Sequence, residues 1–217
     1  MHIRDGSNGA RADARLADSC ACGQVALEIT GKPIVGAVCY CKSCQEAGRI
    51  LAGFPSAPVV VERDGGTEYV LYRKDRVRLV MGAEHLEEHR LKPESPTRRV
   101  RATCCQAAMF LDVTKGHWLS IYRARFLKDA PRVEMRVMTK ERPAGGPLTE
   151  DVPNYSAHSG KFILRLLGAR LAIGLRAYSG GSERRIRSDL STRSGSLERR
   201  SERSDGGAWS GGGFGLG

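Results

Sequence analysis

Many of the signals by which a sequence declares its chemistry are missing from this chain. Its 217 residues hold no Gly-rich phosphate loop, no G-x-S-x-G elbow and no convincing Ser/His/Asp arrangement. Phosphate-loop nucleotide hydrolysis and hydrolase-type acyl transfer therefore have no support. His85 and His89, in "HLEEH", would share one face of a helix and could bind metal, but this is not the metalloprotease pattern H-E-x-x-H, because Leu86 stands where its glutamate belongs. The opening "MHIRDGSNGARADARLAD" has no apolar run and so does not read as a secretory signal. No run is long and apolar enough to span a bilayer: "HSGKFILRLLGARLAIGLRAY" is short and is interrupted by Arg165, Arg170 and Arg176. It is expected to be a terminal helix packed on the main domain, with attachment to a membrane surface as the alternative. No internal repeat is present. Acidic residues are in deficit, 24 against 35 basic ones, for a formal charge of +11. That balance favours an acidic partner, whether nucleic acid, anionic membrane or a polycarboxylate small molecule, without choosing among them.

Cysteine is not scarce. Seven are present, and an odd number leaves one over in any disulfide scheme. Close pairs such as Cys20 and Cys22 would also form strained loops if bridged. With no export signal the thiols are expected to stay reduced, and clustered reduced thiols point to metal. The expectation is a soluble, cytoplasmic metalloprotein.

The chain divides by composition. Residues 1–18 are small and polar and read as a disordered arm. Residues 19–142 read as a zinc-binding, mainly β domain. "QVALEI" and "EYVLYR" alternate, "APVVVE" is a short apolar run, and "HWLSIYRARF" and "RVEMRVM" are rich in β-branched and aromatic residues. Within that domain only "GAEHLEEHRL" suggests a short helical turn. Residues 143–178 read as a linker and a short amphipathic C-terminal helix, and 179–217 as a disordered Gly/Ser/Arg tail.

The cysteines form three groups: Cys20-x-Cys22 followed by Gly23, Cys39-x-Cys41-x2-Cys44, and the adjacent pair Cys104-Cys105. Zinc prefers four nitrogen or sulfur ligands in a tetrahedron. The simplest partition gives Cys20, Cys22, Cys104 and Cys105 to a closed structural zinc. Cys39, Cys41 and Cys44 then hold a second zinc with one open position, the arrangement of a catalytic site. The plainer alternative is one structural zinc, with the remaining cysteines inert.

In order and separation, "SCACGQVALEI", "VCYCKSCQEAG" and "RVRATCCQAAMF" resemble the family of glutathione-dependent formaldehyde-activating enzymes and centromere protein V. The resemblance covers about Ser19 to Val113 and extends towards "GHWLSIY". It implies a β-rich, zinc-pinned Mss4-like fold and the same partition of cysteines, with the triplet holding the zinc associated with activity. One departure is plain. The family's later pair is typically C-x2-C-G, whereas here two cysteines are adjacent and positions 107 and 108 are alanine. Adjacent residues on a strand point to opposite faces, so both reach one metal only if the backbone turns there. Otherwise one of them serves with a substitute ligand, for which His85 and His89 are the candidates.

The resemblance implies carbon–sulfur lyase chemistry on glutathione or a similar thiol and its formaldehyde adduct. Basic residues in "YRKDRVR" and "TRRVR", namely Arg73, Arg76 and Arg99 among them, are candidates to bind the substrate's carboxylates. The alternative function is a non-catalytic zinc module that binds protein or nucleic acid through its basic surface.

Overall fold

The computed structural model describes residues 15–126, 129–143 and 146–178. The start of the expected arm and the whole expected tail lie outside the described residues. Among those described, short segments rich in β-branched and aromatic residues form ten strands, and the fold is mainly β, as expected. β1 (Arg15–Ser19), β2 (Ala26–Thr30) and β5 (Val77–Met81) form an antiparallel sheet in that order. A second sheet has seven strands, in the order β10 (Met135–Val137), β3 (Val35–Cys39), β4 (Thr67–Arg73), β9 (Trp118–Tyr122), β8 (Ala107–Val113), β7 (Thr97–Ala102), β6 (Leu86–His89). Its pairs are antiparallel except β10 beside β3.

The large sheet is buried on both faces. On one, Val35, Ala37, Tyr69, Leu71 and Tyr122 pack with residues of two helices, α1 (Lys42–Ala52) and α2 (Gly160–Tyr178). Val70, Tyr72, Leu119 and Ile121 lie on the face opposite the helices. α1 buries Cys44, Ala47, Gly48 and Leu51, a 3-1-3 spacing that places them on one helical face. Gly48 sets how closely α1 approaches: a Cβ there would fall 2.0 Å from Cγ2 of Val61. α2 begins where the Ser159 hydroxyl accepts the Phe162 N–H at 3.1 Å. It buries Phe162, Leu166 and Ala169, each of the two larger side chains contributing about 1.5–3 kcal/mol. Arg165 ties it to Glu134 at 2.7 Å. Ile163, Leu164, Leu167 and Leu171 remain exposed on its other side. Among the described residues no helix is long and apolar enough to cross a membrane.

The structure departs from the sequence reading in four places. Residues 15–18, expected in a disordered arm, belong to β1 and pair along β2. "APVVVE" is not a strand; only Val61 makes an isolated bridge, to Thr67. α1, for which no helix was expected, occupies most of the cysteine-triplet motif. Within "GAEHLEEHRL" the expected helical turn is present as a 3-10 turn, Ala83–His85, but the rest is edge strand β6. Cross-strand ion pairs hold that strand, Glu87 to Arg101 at 2.8 Å and Glu88 to Arg98 at 2.9 Å, and they override the helical propensity of the segment. His85 and His89 therefore do not share a helical face.

Candidate metal centres

Two groups of thiols converge, one at the junction of the two sheets and one at the start of α1. In the first, Cys20 follows β1 and Cys22 sits in the turn to β2. That turn is closed by the Gly23 N–H donating to the Cys20 carbonyl at 3.1 Å, and Gly23 has φ +79°, which a side chain would strain. Cys104 and Cys105 occupy the turn between β7 and β8. Gln106, at φ +59°, shapes that turn and donates to the Thr103 carbonyl at 2.8 Å, while Arg101 bonds the Gln106 side-chain oxygen. The chain thus turns where two adjacent cysteines need it to turn. The sulfurs of Cys20, Cys22, Cys104 and Cys105 all lie within 4.8 Å of one another.

Individual separations are 3.5 Å for Cys20–Cys22, 3.7 Å for Cys20–Cys104 and 3.4 Å for Cys22–Cys104. Four sulfurs at about 2.3 Å from a tetrahedral zinc stand about 3.8 Å apart, so this donor set fits the ion. Burial pushes the Cys20 thiol up, but hydrogen bonds from the Val25 N–H, Cys22 and Cys104 outweigh it and leave it at about 7. Desolvation and the bonds to Cys22 and Cys20 drive Cys104 up to about 12. Neither His85 nor His89 joins it; the backbone carbonyl of His85 instead anchors Thr103 of the cysteine turn.

The second group explains its own spacing. Cys39 ends β3, and in extended chain a residue two positions on returns to the same side, which places Cys41 beside it. Cys41 is the N-cap of α1, still extended at φ −63° and ψ 147°, and one helical turn then brings up Cys44. The Cys44 and Gln45 N–H groups donate to the Cys41 carbonyl at 2.9 and 3.2 Å. The three sulfurs lie within 4.8 Å of one another, with no fourth Cys, His, Asp or Glu ligand atom grouped with them among the described residues.

Charge within the triplet is shared unevenly. Hydrogen bonds from Cys39 and Cys44, with one from the Ser43 hydroxyl at 3.2 Å, draw the Cys41 thiol far below the ordinary range despite its burial. Cys39 is raised, first because it donates to Cys41 and Cys44, then by burial. Cys44 gains from the Cys39 bond, but its own bond to Cys41, burial and the Cys41 charge push it up to about 12. The Tyr69 hydroxyl reaches Cys44 Sγ at 3.7 Å, and burial above all holds that phenol in its neutral, donating form.

Side chains around the triplet fix its backbone. Tyr40, between two of the cysteines, donates to Asp64 at 2.6 Å. Gln45 donates to the Tyr40 and Glu141 carbonyls, and the Glu141 carboxylate accepts the Lys42 N–H at 2.8 Å. Ser43 and Gln45 lie inside the motif and were visible beside the cysteines. Tyr69, Asp64 and Glu141 arrive through tertiary packing and leave no local signal.

The three candidate substrate arginines occupy separate places. Arg73 ends β4 and pairs with Asp75 at 2.5 Å, and Arg76 lies over Gly31. Arg99 is in β7, three strand spacings from β4 in the sheet order, or about 14 Å, and is only 2% exposed. A cleft lined by Val59, Val60, Glu62, Glu68, Tyr122, Arg123 and Ala124 includes none of the cysteines.

Residues 15–139, more than half of the chain, match the family described as glutathione-dependent formaldehyde-activating enzyme. The chain belongs to that family. All seven cysteines fall inside the matched span, including the adjacent pair. A crystal structure of a Rhodobacter sphaeroides protein is similar at a TM-score of 0.38 and 16% identity, covering 54% of this chain and 92% of that one. No curated protein matches the chain significantly. Membership of the formaldehyde-activating family and two cysteine groups able to hold metal are thus the firm description of this protein.

Proposed function

We propose that Cys20, Cys22, Cys104 and Cys105 hold a closed structural zinc and that Cys39, Cys41 and Cys44 hold a second zinc with one position open. On this reading the protein is a carbon–sulfur lyase-type enzyme that joins a glutathione-like thiol to formaldehyde or releases it from the adduct. One observation carries the reading: three sulfurs converge without a fourth described ligand atom, while four others converge elsewhere. A zinc ion at the triplet would supply an open position that favours the thiolate form of a bound thiol near neutral pH.

The chain's own groups prepare that position. Hydrogen bonds from Cys39, Cys44 and the Ser43 hydroxyl favour the thiolate form of Cys41. Tyr69 donates to Cys44, and the N-terminal end of α1 favours negative charge at Cys41 and Cys44. In the addition, the thiol sulfur forms a bond to the formaldehyde carbon, the carbonyl π pair moves to oxygen, and the thiol proton ends on that oxygen. The lyase direction is the reverse.

Exchange between glutathione, formaldehyde and their adduct, followed by NMR, tests the activity. The zinc-loaded protein is expected to accelerate exchange above the buffer rate, and Cys41→Ser to return it to that rate. No acceleration by fully loaded protein would contradict the enzyme reading. A salt-steep affinity for nucleic acid in its place would favour the zinc-module alternative.

A further inference from the structure

Arg99 is buried in β7 without an acidic partner. Its neighbours in the strand both have one: Arg98 contacts Asp112 and Glu88, and Arg101 contacts Glu87. Arg99, more deeply buried than either, pairs with no carboxylate among the described residues, and its Nε has no hydrogen-bond partner. Its one hydrogen bond runs from Nη2 to the Ser43 carbonyl at 3.0 Å. A guanidinium cannot shed its proton, so a buried one is costly unless negative charge lies nearby.

The hydrogen bond to Ser43 brings Arg99 to the cysteine triplet. Ser43 lies between Cys41 and Cys44 in sequence, and its hydroxyl is 3.2 Å from Cys41 Sγ. A second route leads to the same place. The charge of Arg99 acts on Tyr122, whose ring is 4.9 Å from that of Tyr69, and the Tyr69 hydroxyl touches Cys44. Arg99 therefore lies against the first turn of α1, which carries Ser43 between Cys41 and Cys44. A divalent ion with three thiolates carries one net negative charge, which one guanidinium balances.

We infer that Arg99 is a positioning residue of the triplet centre. It offsets the net negative charge of the three thiolates and holds the Ser43 carbonyl that spaces Cys41 from Cys44. This rests on the triplet's holding a metal, and it replaces a place on a substrate-binding rim with one inside the protein. Arg101 instead reaches the other centre, where it bonds Gln106 of the Cys104-Cys105 turn and pairs with Glu87.

Zinc affinity, measured by chelator competition on the full chain under reducing conditions, separates the possibilities. The triplet's affinity class is identified as the one lost in Cys41→Ser, and the four-cysteine class is the internal control for folding. Arg99→Gln, which keeps a hydrogen-bond donor and removes the charge, is expected to weaken the triplet class by about tenfold to a hundredfold and leave the other class unchanged. Arg99→Lys, which keeps the charge, is expected to recover most of that loss. Arg101→Gln is expected to show the opposite pattern.

Arg99→Gln that binds two zinc ions as tightly as wild type would overturn the role of Arg99 while leaving the triplet reading intact. Equal losses in the Gln and Lys variants would overturn charge compensation, leaving a packing role. A wild-type protein with no second affinity class would overturn both readings together.

Discussion

Cys22 and Cys104, 82 residues apart in sequence, stand with their sulfurs 3.4 Å from one another. Through them the β1–β2 turn of the small sheet is tied to the β7–β8 turn of the large one. Cys22 is exposed, and Cys104 and Cys105 are half-buried, so burial of these three side chains adds little to the tie. Cys104→Ser and Cys105→Ser are each expected to cost about 3 kcal/mol or more, or about 10 °C in Tm, and chelation of the wild type is expected to do the same. Thermal melts with and without chelator check this. If Cys105→Ser melts like wild type, the adjacent pair does not act as a pair.

Gly48 is expected to tolerate no side chain while Val61 keeps its own. Gly48→Ala puts its new carbon into Val61 and should destabilise by about 1–3 kcal/mol. The double variant with Val61→Ala should recover much of that, which a urea-unfolding cycle would read. A Gly48→Ala variant as stable as wild type would mean that α1 sits farther from Val61 than the structure places it.

Two leucines of α2 should behave differently although they are two residues apart. Leu166 is 8% exposed and Leu164 is 69% exposed. Leu166→Ala is expected to cost about 2–3 kcal/mol and Leu164→Ala less than about 0.5, by chemical denaturation. Equal effects would mean that the helix docks by another face.

Tyr40 and Asp64 give a pH dependence with a definite sign. Burial raises the Asp64 carboxyl, but the Tyr40 hydroxyl, the Gly66 N–H and the charges of Arg142 and Arg136 outweigh it and hold it below its usual value. A depressed carboxyl contributes stability that is present above its unfolded pKa, near 4, and lost as pH falls through the lower folded value. Tyr40→Phe should therefore cost about 1 kcal/mol at pH 7 and progressively less towards pH 3, the figure being modest because Asp64 is partly solvated. Denaturation at the two pH values checks it.

Much of the site was legible because cysteine spacing reports backbone shape. Cys39-x-Cys41 followed by x2-Cys44 combines a strand period with a helix period, and the structure has a strand meeting a helix at that point. The helix itself was also written there, in the 3-1-3 spacing of Cys44, Ala47, Gly48 and Leu51. The stripe is weak as a local signal because three of its four residues are cysteine, alanine and glycine. β6 was lost for the opposite reason. Leu-Glu-Glu-His has helical propensity, but the partners Arg98 and Arg101 that hold it extended lie in another strand, where no local reading finds them. The solitude of Arg99 is likewise a tertiary fact, since its basic neighbours in sequence look the same as it does.

The most direct test of two centres with different roles is the zinc content of protein purified under reducing conditions, wild type beside Cys39→Ser/Cys41→Ser/Cys44→Ser. The account predicts two zinc ions per chain in the wild type and one in the triple variant, which should stay folded on its four-cysteine centre. A wild type with one zinc ion that the triple variant retains would contradict it.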